Sequence, residues 1–114
     1  MVIHMIISQL LDQPEFLLLN APTTTNQVIT GMFACDLLSH AMGFAEEGQI
    51  LITVLNNINV LGVVHLLDLS AVIFPHNIQV QQPIIDKANE LNIPLLSVKK
   101  PTAETVVLLH KLGV

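Results

Sequence analysis

The chain has 114 residues, enough to bury a core, yet only 11% are charged against about 25% in ordinary soluble domains, and 52% are apolar. Its net charge is −5, its four cations are Lys87, Lys99, Lys100 and Lys111, and it contains no Arg, Trp or Tyr. That composition argues against a basic, aromatic-lined nucleic-acid surface and rules out bidentate guanidinium clamping of a phosphate or carboxylate.

So few polar residues leave apolar surface that a second subunit is expected to cover. Cys35 is the only cysteine, so no intrachain disulfide can form, which fits a reducing cytoplasm. The start MVIHMIISQLLDQPEF lacks a basic signal-peptide region, and Asp12 and Pro14 break its apolar run. The most membrane-like stretch, residues 50–74, is interrupted by Asn56, Asn57, Asn59, His65 and Asp68, so a soluble protein is expected.

In chain order, residues 2–11 predict a short helix, because Ile3, Ile6, Ile7, Leu10 and Leu11 fall at helical spacing. Pro14 ends it, and FLLLN (16–20) predicts a strand. After the polar turn 21–26, QVITGMF (27–33) is a second extended stretch with Gly31 as a bend or bulge. Asp36 is placed to cap a helix with Leu37, Leu38, Ala41 and Met42 on its apolar face, and Gly48 to end that segment.

ILITVL (50–55) is continuously apolar, as in a strand covered on both faces. Asn56 or Asn57 then caps a nearly all-apolar helix through Leu69, which should be buried on all sides. That makes it the expected dimer interface, through Val60, Leu61, Val64 and Leu67. SAVIFP (70–75) predicts another buried strand. QQPIIDKANELN (81–92) predicts an amphipathic helix with Pro83 in its first turn and Ile84, Ile85, Ala88 and Leu91 inward. IPLLSV (93–98) is a strand, and Pro101 and Thr102 start a last helix striped by Val106, Leu109 and Leu112.

Alternating apolar strands and helices from Gln49 onward give an α/β fold: a mixed, mainly parallel sheet with helices on both faces and edge strands from the N-terminal part. A single domain over residues 1–114 is expected.

The segments CDLLSHAMGFAEEGQILITV and IIDKANELNIPLLSVKKPTAETVVLL resemble the DRTGG domain, over residues 1–112. The Asp-Leu-Leu-Ser segment (36–39) and the Glu-Gly-Gln segment (47–49) carry the resemblance most specifically. It implies a fold similar to the N-terminal, non-catalytic domain of HPr kinase/phosphorylase. It also implies a regulatory or assembly role, since DRTGG domains occur beside CBS domains in some pyrophosphatases and in some phosphotransacetylases. The signature residues differ here. The Asp-Arg position reads Asn56-Asn57-Ile58, and the Thr-Gly-Gly position reads Phe74-Pro75-His76.

Ligands of parallel sheets sit beyond the carboxyl ends of the strands. There the sequence supplies Asn56, Asn57, Pro75, His76, Asn77 and Ser97. These suit a neutral polar ligand better than a phosphate, with Lys99 and Lys100 as nearby point charges. No metal-ligand spacing links Cys35 and the five histidines, no GxxxxGK loop supports ATP chemistry, and no cofactor is implied. Cys35 reads as a small core residue, its neighbour Asp36 opposing a thiolate. The expected function is a non-catalytic regulatory or assembly module acting as a homodimer, with a possible protein partner in a regulatory complex. The alternative is a small-molecule sensor, binding a nucleotide-like compound or metabolite at the strand ends through Asn56, Asn57, His76, Asn77 and Ser97.

Overall fold

The structure is a computed structural model that describes residues 3–114; the predicted helix start at Val2 lies outside them. In chain order the elements are α1 (Ile7–Leu10), β1 (Leu17–Leu18), β2 (Gly31–Ala34), α2 (Leu38–Phe44), β3 (Gln49–Ile52), α3 (Asn59–Leu67), β4 (Ala71–Phe74), α4 (Gln82–Glu90), β5 (Leu95–Ser97) and α5 (Thr102–Lys111). Among the described residues no helix is long and apolar enough to cross a membrane.

The strands lie in the order β1-β5-β4-β3-β2, with β2 through β5 parallel and β1 antiparallel to β5. Each parallel strand sits beside the one before it in sequence. Crossovers of one hand therefore place α2, α3 and α4 on the same face. The unbroken apolar runs follow from burial on both faces, since successive side chains of a strand point to opposite sides. Ile50, Ile52, Ala71, Ile73 and Leu96 join Ile7, Leu10, Phe16 and Leu109 in one core, with α1 and α5. Leu51, Val72, Phe74 and Leu95 join Val60, Leu61, Val64, Ile84 and Ala88 in the other, with α3 and α4.

The first predicted helix is mostly absent. Met5 and Ile6 run extended beside residues 27–29, with an Ile6–Val28 bridge. The Ile29 N–H donates to Met5 O at 2.8 Å and the Ile7 N–H to Gln27 O at 3.0 Å. Only one turn of helix, Ile7–Leu10, remains. Gly31 opens β2 rather than bending inside it.

Asp36 does not cap α2, whose N-cap is Leu37 with no side-chain hydrogen bond. Its Oδ1 accepts from the Val54 N–H at 3.0 Å and from the Thr53 hydroxyl at 3.3 Å, strapping the loop after β2 to the loop after β3.

Helix α3 is not buried on all sides. Val60, Leu61 and Val64 are at most 1% exposed because their spacing turns them onto the chain's own sheet, while Ile58 and Leu66 stand in solvent and Leu67 is half-buried. The first three are therefore core residues of this chain and offer no face to a second copy. The helix ends at Asp68 in the left-handed conformation (φ 55°), and the Asp68 carbonyl accepts from the Gly48 N–H at 3.0 Å.

Two buried side-chain atoms, Ser70 Oγ and Gln27 Oε1, have no hydrogen-bond partner among the described residues. A buried hydroxyl left unpaired costs about 1–3 kcal/mol of desolvation. Ser70→Ala is therefore expected to raise stability by about 1 kcal/mol, read as a higher urea midpoint at unchanged m-value. A fall of similar size would show that this hydroxyl is satisfied in solution.

Candidate functional site

The carboxyl ends of β3, β4 and β5 open onto one end of the sheet, and the turn after β4 organises it. His76 and Asn77 both adopt left-handed backbone conformations (φ 62° and 53°) without glycine. Asn tolerates that region because its short amide bonds locally; His does so less readily. The His76 N–H donates to Lys100 O at 2.9 Å and the Asn77 N–H to Val98 O at 2.9 Å. A phosphate-binding turn would aim such amides at its ligand. Here both are spent inside the chain, and the turn works as a buckle that fixes the loop 98–100.

Asn56 and Asn57 are likewise engaged. Asn56 Nδ2 donates to Gln79 O at 2.8 Å, joining the loop after β3 to the loop after β4. Asn57 Oδ1 accepts from the Asn59 N–H at 3.0 Å, an Asx turn at the start of α3. Neither lines the cavity at this end, and nor does the exposed His76.

Asn77 and Ser97 do come together. With Lys99 and Lys100 they border a cleft of about 460 Å³, closed on its other side by Pro14, Glu15 and Leu17. Ser97, at the end of β5, is 6% exposed. A second hollow of about 350 Å³ shares Glu15 and Lys100 and continues along α5, past Ala103, Glu104, Val107, Leu108 and Lys111. Sequence reasoning missed residues 14–17. Their arrival depends on β1 pairing with β5, Leu17 opposite Ser97, and the apolar pattern of FLLLN does not name its partner strand.

The other candidates lie elsewhere. His40 is exposed on α2, its ring centroid 4.7 Å from Phe44 and 5.9 Å from Phe33. His65 is exposed in the last turn of α3. Cys35 is half-buried, with its Sγ 3.4 Å from Leu37 O. Among the described residues no three His, Cys, Asp or Glu side chains converge as a metal site.

The DRTGG domain family model matches residues 16–112. No curated protein matches the chain. Among solved structures, the CBS and DRTGG domains of the regulatory region of Clostridium perfringens pyrophosphatase, complexed with the activator diadenosine tetraphosphate, match 90% of this chain with a TM-score of 0.71 and 16% identity. At that identity the likeness is one of fold, and this chain spans 44% of the length of the pyrophosphatase fragment.

Proposed function

Because this chain belongs to the DRTGG domain family, we propose that it is a non-catalytic regulatory or assembly module that works as a homodimer. The regulatory half of this reading is supported by the pyrophosphatase fragment, in which the same fold forms part of a regulatory region. The observation that carries the dimer is one flank of the molecule. Strand β2 is an edge of the sheet with no charged residue between Gln27 and Cys35, so it lacks the usual protection of an open edge. On the adjoining α2 segment, Leu37 (62% exposed), Met42 (43%) and Phe44 (66%) stand in solvent. An apolar band beside an unguarded edge suits a two-fold contact with the same band of a second copy.

The test is sedimentation velocity at micromolar concentration, with Phe44→Glu as the variant. The expected result is a dimer for the parent chain and, for the variant, a monomer with the parent's circular dichroism spectrum and a modestly lower melting temperature from the lost association. A monomeric parent, or a variant that stays dimeric, would overturn this interface.

A second reading, a small-molecule sensor at the strand ends, is favoured by one observation: the cleft bordered by Asn77 and Ser97. It differs from the dimer reading in predicting a saturable rise in melting temperature with a bound compound.

A further inference from the structure

We propose that the cleft beside β5 binds a small organic anion, either a carboxylate or a phosphate monoester. Its compact charged head lies among Ser97, Asn77, Lys99 and Lys100, and its apolar body lies along Val107 and Leu108. This rests on the sensor reading and names the ligand chemistry for it.

Charge distribution is the first argument. In a chain of net charge −5 with four cations, three of the four (Lys99, Lys100 and Lys111) border the two adjoining hollows. The fourth, Lys87, is on α4 and pairs with Glu90 at 3.4 Å. An acidic protein that gathers its positive charge at one cavity makes that cavity its most favourable place for an anion.

The second argument is the Ser97 hydroxyl. It is held at the end of a buried strand and borders the cleft. A hydroxyl so placed has both a donor and acceptor capacity to offer an entering group. The third is preorganisation. The two bonds from His76 and Asn77 fix the backbone from Val98 to Lys100, so the lysines project from a rigid base even though their side chains are flexible.

The same residues limit the ligand. The turn's amides are occupied and there is no guanidinium, so no cradle exists for a polyphosphate. Glu15 and Glu104 also border the hollows, and three lysines against two glutamates leave one net positive charge. That balance suits one compact anionic head. The apolar body follows from Leu17 (64% exposed) and Val107 (52% exposed) on the walls. Two hollows of about 460 and 350 Å³ are within the usual range for small-molecule sites.

The experiment is an amide ¹H–¹⁵N titration of the full chain with hexanoate, hexyl phosphate and the uncharged hexanamide, repeated on Lys100→Gln and Ser97→Ala. The expected result is saturable shifts at Ser97, Val98, Lys99, Lys100 and Ala103 with at least one of the two anions. Hexanoate and hexyl phosphate together show which head group is preferred. Hexanamide should bind at least tenfold more weakly, and each variant should weaken the anion at least tenfold while keeping the parent spectrum elsewhere. Equal binding of hexanamide would overturn the anion assignment while leaving a ligand cleft in place. Shifts spread over all four lysines, with no focus on residues 97–103, would overturn the site. Silence from all three compounds would overturn the anion inference, and a further lack of any melting shift across a metabolite panel would remove the sensor reading as well.

Discussion

Replacing Val64 with aspartate is expected to unfold the chain rather than release a folded monomer. Val64 is 1% exposed and lies in the core shared by α3, α4 and the sheet residues Leu51, Val72, Phe74 and Leu95. The buried members of that cluster are all apolar. A carboxylate placed among them loses hydration and removes valine packing as well, at a combined cost of about 4 kcal/mol or more. Domains of this kind have about 5–15 kcal/mol in total. The control is Leu66→Asp on the same helix, where the side chain is 68% exposed and the change should cost under about 0.5 kcal/mol. Circular dichroism melts of the two variants make the comparison. A Val64→Asp protein that melts like the parent would mean that this side of α3 faces outward in solution.

Asn20→Ala is expected to lower stability by about 2–4 kcal/mol, far above the cost of an ordinary polar truncation. The β1–β5 ladder pairs Leu17 with Ser97 and Leu18 with Leu96, and the Leu19 N–H donates to Leu95 O at 2.8 Å. Beyond that point the main chain turns away toward Pro22, and the Asn20 side chain continues the ladder in its place. Its Nδ2 donates to Ile93 O at 2.8 Å and its Oδ1 accepts from the Leu95 N–H at 2.9 Å. Removing one amide thus strips two partly buried backbone groups of their partners. Urea denaturation gives the size of the loss, and hydrogen exchange of the Leu95 amide should quicken beyond the global change. A loss below about 0.5 kcal/mol would show that water replaces the amide freely.

What could be read from the residues depended on whether local pattern and tertiary contact agreed. The runs 50–55, 70–75 and 93–98 were legible as parallel strands, formed as Gln49–Ile52, Ala71–Phe74 and Leu95–Ser97, because burial on both faces leaves them nearly continuously apolar. Helix α4 was legible because its inward residues Ile84 and Ala88 sit against a polar outer face. The isoleucines near the start fit a helix and an extended segment equally well, and pairing with residues 27–29 decided between them. Asp36 illustrates a different limit. Its place before α2 suits a cap, but the amide of Val54, brought near only by the β2–β3 pairing, takes its carboxylate instead.

Of the residues expected at the strand ends, Asn77 and Ser97 border one cleft. The structural duties of Asn56 and Asn57 were hidden in contacts to Gln79 and Asn59. Loop 21–27 carries a similar hidden contribution. The Ala21 N–H donates to Asn89 Oδ1 at 2.7 Å, and Asn92, itself left-handed at φ 57°, accepts from the Thr23 N–H at 2.7 Å. Neither bond has any signature in the local sequence.

The antiparallel strand β1 has a consequence for the order in which the chain acquires its structure. Its partner β5 lies near the opposite end of the sequence, whereas β2 through β5 each pair with an immediate sequence neighbour. Closing the longer loop is entropically dearer and yields little until β5 itself is in place. The β1 segment is therefore among the last to dock. Mutations in residues 16–20 should speed unfolding and leave the folding rate nearly untouched, while those in β3 and β4 should slow folding. One wall of the cleft is thus also the seam at which the molecule first comes apart, so an occupant bridging Leu17 and Ser97 would slow unfolding from the outside.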